Sequence, residues 1–213
     1  MAVQEERWDK EKEKKMNAII VVGLARSGKD TVAEFIERDY GLKKFVLSDV
    51  LAEELRKRGR KVSKKGMVEL GDELRKKHGM DIVARKLYKK IIKSKSKKDV
   101  LIVGARSIEE VNYFRKRMKK IFIVKIETPL KERFSRRSSL DPSTLKEFRK
   151  RDLIDKKNKG MEKVLSKADY IIKNNSGKME LHKKIGFLIE NIYKQKRVVV
   201  IGDKLYGYGK HFE

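Results

Sequence analysis

Short apolar runs alternate with longer amphipathic segments along the chain. The apolar runs are rich in Ile and Val and have the length of buried parallel strands. They lie at 18–23, 44–48, 99–104, 120–126 and 169–173. Helical periodicity fills the intervals, at 29–39, 49–59, 66–77, 80–93, 107–118, 129–138, 143–157 and 178–195. This alternation predicts an α/β fold with an open, five-stranded parallel sheet and helices on both faces.

The alternation of predicted strands and helices is continuous from 17 to 195, and this range gives the expected domain boundaries. We predict one α/β domain at 17–195, preceded by a charged flexible extension at 1–16. Residues 196–213 are predicted to form a C-terminal strand at 197–201, added to the edge of the sheet, and a polar tail. The 213 residues are enough for one such domain with its own core.

Composition narrows the class of protein. The chain has no cysteine, which excludes disulfides and thiolate metal sites and is typical of a cytoplasmic protein. No apolar run is long enough to span a membrane. The formal net charge is +26, from 57 Lys and Arg against 31 Asp and Glu. This excess favours polyanionic or nucleotide partners, or it reflects a general richness in lysine.

A glycine-rich loop lies between the first predicted strand and the first predicted helix. The spacing Gly23-x4-Gly28-Lys29 fits a phosphate-binding loop, in which backbone N–H groups surround a triphosphate and the lysine reaches its terminal phosphates. The N-terminus of the following helix faces the same anion. The candidate ATP-binding residues are Gly23, Leu24, Ala25, Arg26, Ser27, Gly28, Lys29, Asp30 and Thr31.

The residue after Lys29 departs from the motif, because Asp30 stands where Ser or Thr normally contacts Mg²⁺. Two interpretations remain open. The Asp30 carboxylate holds Mg²⁺ directly or through water, with Thr31 as a second oxygen ligand. Alternatively, Asp30 stabilises the helix N-terminus and leaves the metal to other groups.

The loop Arg26-Ser-Gly-Lys-Asp-Thr31 resembles that of phosphate-loop kinases acting on small nucleotide-like acceptors, including viral deoxynucleoside monophosphate kinases. A longer resemblance is to an archaeal family related to dephospho-CoA kinase, and it covers about residues 17–192. Its motifs are Leu47-Ser-Asp-Val-Leu51, Leu74-Arg75, Gly79, Val83-Ala-Arg85, Gly104-Ala-Arg-Ser107, Glu110-Val-Asn-Tyr-Phe114, Glu147-Phe-x-x-Arg-Asp152 and Ala168-Asp-Tyr-Ile-Ile172.

This resemblance implies a three-layer phosphate-loop NTPase fold with a helical acceptor-binding insertion, about 49–93, and a lid, about 133–157. It implies an ATP-dependent phosphotransferase that uses Mg²⁺. The γ-phosphate would pass to a small nucleotide-like acceptor, either dephospho-CoA or a (deoxy)nucleoside monophosphate.

Candidate catalytic and acceptor-binding residues follow the predicted strands. Asp49 comes directly after the second strand, where an acid can accept the proton of an attacking hydroxyl; the alternative is a helix N-cap, by Asp49 or Ser48. Arg106 follows the third strand, on the side expected for the phosphates. Arg75 and Arg85 belong to the predicted acceptor-binding insertion.

The third strand also departs from the resembling families. They carry an Asp before the glycine of this strand, where it holds Mg²⁺ through water, and here that position is Val103. Asp30 and Val103 are either compensating changes in the metal region or a sign of weak or lost catalysis.

Arginines are concentrated in the predicted lid. Such arginines close over the nucleotide, exclude water and stabilise charge during transfer. The strongest candidates are Arg133, expected at the nucleotide, Arg137, expected to be catalytic, and Arg151. After the fifth strand, Asn174 and Asn175 either contact the base or form a turn.

Two other functions remain open from the sequence. One is an ATP-binding or ATPase module that binds RNA through its positive charge, and the other is an inactive kinase relative. The sequence does not define the oligomeric state.

Overall fold

A computed structural model describes residues 16–96, 98–139, 141–158, 160–193, 197–201 and 204–208, the last two segments by their backbone. The predicted flexible extension lies outside these residues except for Met16, which is buried and accepts a backbone hydrogen bond from Lys119. Residues 202–203 and 209–213 of the predicted tail also lie outside them.

The main sheet is five-stranded and parallel, as predicted. Its strands are β1 (Asn17–Val22), β2 (Lys43–Val46), β3 (Val100–Val103), β4 (Lys120–Glu127) and β5 (Tyr170–Lys173). Their spatial order is β2-β3-β1-β4-β5, with Val21 paired to Val103 on one side and to Val124 on the other. The loops that follow all five strands therefore meet at one edge, the carboxyl edge, with the glycine loop at its centre.

Helices connect the strands close to where the periodicity predicted them. In the described part of the chain they are α1 (Lys29–Tyr40), α2 (Leu47–Lys57), α3 (Lys64–His78), α4 (Ile82–Lys93), α5 (Ile108–Arg115), α6 (Leu130–Ser135), α7 (Leu145–Asn158), α8 (Met161–Ser166) and α9 (Lys178–Tyr193). The short helix α8 was not predicted, because its six residues span less than two helical turns.

Two apolar layers cover the sheet because successive strand residues point to opposite faces. Ala18, Ile20 and Val22 of β1 pack on one face with the buried side of α2, α3, α4 and α5. Ile19 and Val21 pack on the other face with α1 and α9. These two layers and the sheet between them make the three-layer architecture.

The strand predicted at the C-terminal end is present as β6 (Arg197–Ile201). It pairs antiparallel with β7 (Lys204–Tyr208) in a separate two-stranded sheet, rather than extending the main sheet as expected. Among the described residues, no helix is long and apolar enough to cross a membrane.

Candidate active site

The glycine loop turns into α1 through two residues with positive φ. Gly28 ends the loop at φ 91° and precedes α1, and its carbonyl oxygen accepts from Val32 N at 3.0 Å. A Cβ at Gly28 would overlap the Asn174 side chain. Arg26 also has a positive φ, 65°, which is uncommon for a residue with a side chain. The loop therefore stores backbone strain that its surroundings must support.

Two polar side chains support the loop from beneath. The Ser27 carbonyl oxygen accepts hydrogen bonds from Thr128 Oγ1 at 2.9 Å and from Asn174 Nδ2 at 2.8 Å. Thr128 follows β4 and Asn174 follows β5, and both are buried. The sequence predicted that Asn174 contacts the base or forms a turn, and it gave no role to Thr128. Both residues come just after strands, at the carboxyl edge of the sheet, and this position was the available signal that they lie near the loop.

Arg133 lies under the loop, although it was expected at the nucleotide. Its side chain is 5% exposed and donates to Thr128 O at 3.1 Å and to Ala25 O at 3.2 Å. The same guanidinium forms an ion pair with Asp152 at 2.5 Å. This arrangement uses the donors of Arg133 to fix the loop backbone to α6 and α7.

The lid segment contacts the glycine loop through Asp141, a residue that the sequence did not single out. Its carboxylate, 2% exposed, lies 2.6 Å from Arg26 Nε, 2.8 Å from Arg151 NH1 and 3.1 Å from Lys64 Nζ. Ser138 N also donates to it, at 2.9 Å. Asp141 thus joins the first part of the predicted lid to its helix α7, to the glycine loop and to the first turn of α3.

Electrostatics keep this carboxylate ionised. Burial by itself raises the pKa of Asp141, but the hydrogen bonds from Ser138, Lys64, Arg26 and Arg151 outweigh it and hold the pKa well below its usual range. One negative charge therefore organises three positively charged side chains beside the loop.

The two neighbouring lid arginines differ in what they contact. Arg136 NH2 donates to Asn174 O at 3.1 Å, and Arg136 NH1 is 4.0 Å from the position of a Cβ on Gly28. Arg137, the predicted catalytic lid residue, stacks on Phe134 with its guanidinium 4.1 Å from the ring centroid. Its NH1 donates to the carbonyl of the same residue at 3.2 Å. The structure therefore brings Arg136, and not Arg137, next to the loop.

Lys29 and Asp30 open helix α1. Lys29 Nζ lies 3.1 Å from Asp30 Oδ2, and the Asp30 side chain is 70% exposed. Asp30 makes no capping hydrogen bond, because the N-cap of α1 is Gly28. Asp30 and Thr31 supply a carboxylate and a hydroxyl, the oxygen ligands that suit Mg²⁺ when phosphate and water complete its shell. Within the described residues, no group of three or more acidic or imidazole side chains forms a metal site.

Asp49 lies in the first turn of α2, exposed, at the end of β2. The helix begins at Leu47 with Val46 as its N-cap and without a side-chain cap, so the capping interpretation of Asp49 and Ser48 is wrong. Val103 ends β3 and is 1% exposed within the apolar layer under α1. No acid is therefore present at this point of the third strand.

The three predicted acceptor arginines are engaged to different degrees. Arg75, 10% exposed, pairs with the fully buried Glu110 at 3.2 Å, and Glu110 also accepts from Arg106 N at 2.8 Å. Arg85 pairs with Asp81 at 3.1 Å. The Arg106 side chain is 42% exposed, and its ion pair with Asp155 is long, at 3.8 Å. Arg106 is thus the most available of the three.

This fold and loop define a phosphate-loop protein with the kinase-type three-layer architecture. Residues 22–155 match the model of the AAA domain family, and the chain belongs to that family. Relatives with the name UPF0200 occur in archaea. The one from Hyperthermus butylicus is 36% identical over 140 residues, covering 64% of this chain and 74% of the relative. A UPF0200/UPF0201 protein of Archaeoglobus fulgidus is 36% identical over 143 residues, but these are 44% of its length.

Solved kinases share the fold. A dephospho-CoA kinase from Campylobacter jejuni superposes with a TM-score of 0.53 at 20% identity, covering 84% of this chain and 98% of that chain. A shikimate kinase from Acinetobacter baumannii, in complex with shikimate, has a TM-score of 0.54 at 19% identity, covering 88% and 98%. At these identities the likeness establishes the fold alone.

Proposed function

We propose that this chain is an ATP-dependent phosphotransferase that moves the γ-phosphate to a small nucleotide-like acceptor. The observation that carries this proposal is the contact between Arg26 in the glycine loop and Asp141 in the lid, at 2.6 Å. A kinase must keep water from the γ-phosphate, and a lid fixed to the phosphate loop serves that purpose. An NTPase that only hydrolyses ATP has no need for such exclusion.

In this proposal the residues of the glycine loop have separate roles. The backbone of residues 23–28 cradles the phosphates, and Lys29 neutralises charge that develops on the transferred group. Arg136 approaches the same region from the lid. Asp30 and Thr31 would hold Mg²⁺, which supplies further charge neutralisation on the phosphate oxygens.

The engagement of the arginines favours a hydroxyl acceptor over a phosphate acceptor. A nucleoside monophosphate brings an anionic acceptor group that requires free arginines, whereas Arg75 and Arg85 are both paired with carboxylates. A hydroxyl instead needs a base, and Asp49 is an exposed carboxylate at the end of β2. We therefore rank dephospho-CoA-like acceptors first, with Arg106 binding one anionic group of the acceptor.

The test is acceptor-dependent ADP formation with ATP and Mg²⁺. The acceptor panel contains dephospho-CoA, the ribo- and deoxyribonucleoside monophosphates and short RNA, and Lys29→Ala is the matched inactive control. We expect dephospho-CoA to stimulate ADP release, and Asp49→Asn to reduce that stimulation by roughly a hundredfold, as removal of a general base does. If no acceptor raises ADP release above the Lys29→Ala background, the chain is a nucleotide-binding module or an inactive relative.

A further inference from the structure

The turn between α2 and α3 has the highest density of positive charge in the described structure. Residues 56–65 contain seven Lys or Arg and no acid, while the whole chain carries 57 in 213 residues. All seven are exposed: Arg56, Lys57, Arg58, Arg60, Lys61, Lys64 and Lys65. We name this segment the basic turn.

The acidic residues that flank the basic turn are already engaged. Glu54 and Glu73 both pair with Arg58, at 3.2 and 2.8 Å. Glu53 pairs with Lys90, and this contact is the main reason that the pKa of Glu53 is lowered. Glu69 lies 3.9 Å from Lys65. The flanking carboxylates therefore pair with Lys90, outside the basic turn, or with two of its seven cations, Arg58 and Lys65.

Four cations of the basic turn consequently form no ion pair among the described residues, and Arg56, Lys57 and Arg60 have only longer-range electrostatic interactions with Glu53 or Glu73. Among the described residues, Arg56, Lys57, Arg60 and Lys61 have no carboxylate at ion-pair distance, while Lys64 pairs with Asp141. Arg56 and Lys57 suit the C-terminal end of α2. Helix stability gives no such reason for Lys64 and Lys65, which lie in the first turn of α3, where positive charge opposes the helix dipole and no acid is present.

The positive surface continues beyond the turn. Arg58 borders a depression of about 390 Å³ whose other basic residues are His78, Arg85, Lys86 and Lys89. Glu54 also lines it and pairs with Lys86, and Arg85 pairs with Asp81. His78 and Lys89 are therefore the basic residues of this lining that form no ion pair within the described part of the chain. An aromatic residue, Tyr113, also lines it, but the Arg117 guanidinium lies 3.7 Å over its ring. That ring face is therefore covered and does not offer a stacking platform for a base.

We infer that the basic turn and the adjoining depression form a binding surface for the phosphodiester backbone of nucleic acid. Closely spaced Arg and Lys side chains match a flexible chain with one negative charge per nucleotide, and arginine forks bind phosphate oxygens in pairs. Because contacts to phosphate carry no sequence information, binding is independent of sequence. The basic turn contacts the lid carboxylate Asp141 through Lys64, but the inference does not depend on the proposed kinase activity.

Fluorescence anisotropy with labelled single-stranded RNA, and with single-stranded DNA of the same sequence, tests this inference over a series of salt concentrations. The variant R56Q/K57Q/R60Q/K61Q removes the four charges that form no ion pair and leaves Lys64 and the lid network intact. The control K163Q/K167Q/K178Q/K183Q removes four exposed charges on and beside α8 and α9. Thermal unfolding verifies that both variants fold.

We expect the turn variant to lose roughly tenfold or more in affinity and its log–log salt slope to fall by about 2 to 3, because each lost phosphate contact removes about 0.7 from the slope. The control should keep the wild-type slope. Equal losses in the two variants, or no binding by the wild type, would overturn the inference. Displacement of labelled RNA by polyglutamate at a lower charge concentration than by unlabelled RNA would instead identify an acidic polypeptide as the preferred partner, which also overturns it.

Discussion

Arg26 Nε donates to Asp141 Oδ2 over 2.6 Å and joins two segments that are 115 positions apart in the chain. Arg26 is also the residue of the glycine loop that holds a side chain at positive φ. The ion pair therefore acts on the loop at the point where its backbone is least relaxed. Through Arg151 and Lys64, the same carboxylate also contacts helix α7 of the predicted lid and the first turn of α3 in the predicted acceptor insertion.

Replacing Asp141 by Asn should loosen the lid without changing its shape. Three cations would then lack their carboxylate, and we expect the free energy of unfolding to fall by about 1–3 kcal/mol. Because a loose lid admits water, acceptor-independent ATP hydrolysis should rise relative to transfer. The ratio of ADP to phosphorylated acceptor measures this. Glu132→Gln is the control, since Glu132 makes only a longer contact with Arg136, at 3.4 Å. If D141N leaves this ratio unchanged, Asp141 does not help the lid to exclude water.

The depressed pKa of Asp141 determines how the stability difference between wild type and D141N depends on pH. A lowered folded-state pKa contributes stability that is complete above the unfolded-state pKa, about 4, and is lost as pH falls toward the folded value. The stability difference between wild type and D141N should be constant from pH 8 to about 5 and shrink below about pH 4. Urea unfolding at each pH measures it. A difference that already shrinks between pH 8 and 6 would assign the effect to another group.

Arg136 and Arg137 form a matched pair for the nucleotide contact. Arg136→Ala should weaken ATP binding by roughly tenfold, the effect of losing one charge-assisted phosphate contact, because Arg136 lies beside Gly28. Arg137→Ala should change ATP affinity little, since Arg137 stacks on Phe134. Titration calorimetry with a non-hydrolysable ATP analogue measures both. A larger effect from Arg137→Ala would show that Arg137, and not Arg136, is the lid residue that contacts the nucleotide.

A comparison of Asn174 with its neighbour Asn175 tests whether the Asn174 side chain supports the glycine loop. Asn174 is buried against the Ser27 carbonyl, whereas Asn175 is exposed. Asn174→Ala should cost about 1–3 kcal/mol of stability and weaken binding of the ATP analogue, because a buried carbonyl loses a donor and the strained loop relaxes. Asn175→Ala should leave the unfolding free energy within about 0.5 kcal/mol of wild type. Equal effects would mean that Asn174 serves only as a turn residue.

The sequence predicted the sheet well because buried parallel strands leave an unmistakable pattern. Ile19 to Val22 and Val100 to Val103 are continuous apolar runs, as strands covered on both faces must be. The glycine loop was equally readable, since the spacing of Gly23, Gly28 and Lys29 is that of the phosphate-loop motif.

The parts that escaped sequence reasoning depend on which strands are neighbours. Thr128 and Asn174 support the loop only because β4 lies beside β1 and β5 lies next to β4, and the chain order does not give that arrangement. Asp141 lies in a polar segment without periodicity, so nothing local distinguished it from a surface acid. Arg133 and Arg137 were assigned by their position in a basic segment, which does not define where each guanidinium points.

Arg75 and Glu110 allow a double-mutant cycle at the acceptor side. Glu110 is fully buried and is shared by the Arg75 guanidinium and the Arg106 backbone. Glu110→Gln should cost about 3 kcal/mol, because it removes the buried counter-charge of a nearly buried guanidinium and leaves it the exposed Asp72 at 3.6 Å. Arg75→Met in the same chain should recover part of that loss, giving a coupling energy of about 1–3 kcal/mol. Urea unfolding of the four proteins gives the cycle. Additive losses would mean that the pair does not join α3 to α5.

Val103 offers a test of the apolar position at the end of β3. V103D buries a carboxylate in the layer under α1, and we expect a loss of about 3 kcal/mol or more at neutral pH. Burial raises the folded-state pKa of such a carboxyl, so the penalty should decrease as pH falls toward about 4. V103N has the same shape without the charge, and its stability should change little with pH. If V103D and V103N lose the same stability at neutral pH, the position is open to water.

The same substitution tests whether Asp30 compensates for the missing acid of the third strand. Asp30→Asn should raise the Mg²⁺ concentration needed for half-maximal ADP formation, because it removes the carboxylate beside Lys29. If the two positions serve one ion, V103D should lower that requirement again in the Asp30→Asn background, once rates are corrected for the folded fraction. The control is V103N/D30N, which supplies no charge. An unchanged Mg²⁺ requirement in V103D/D30N would show that Asp30 does not replace the strand acid.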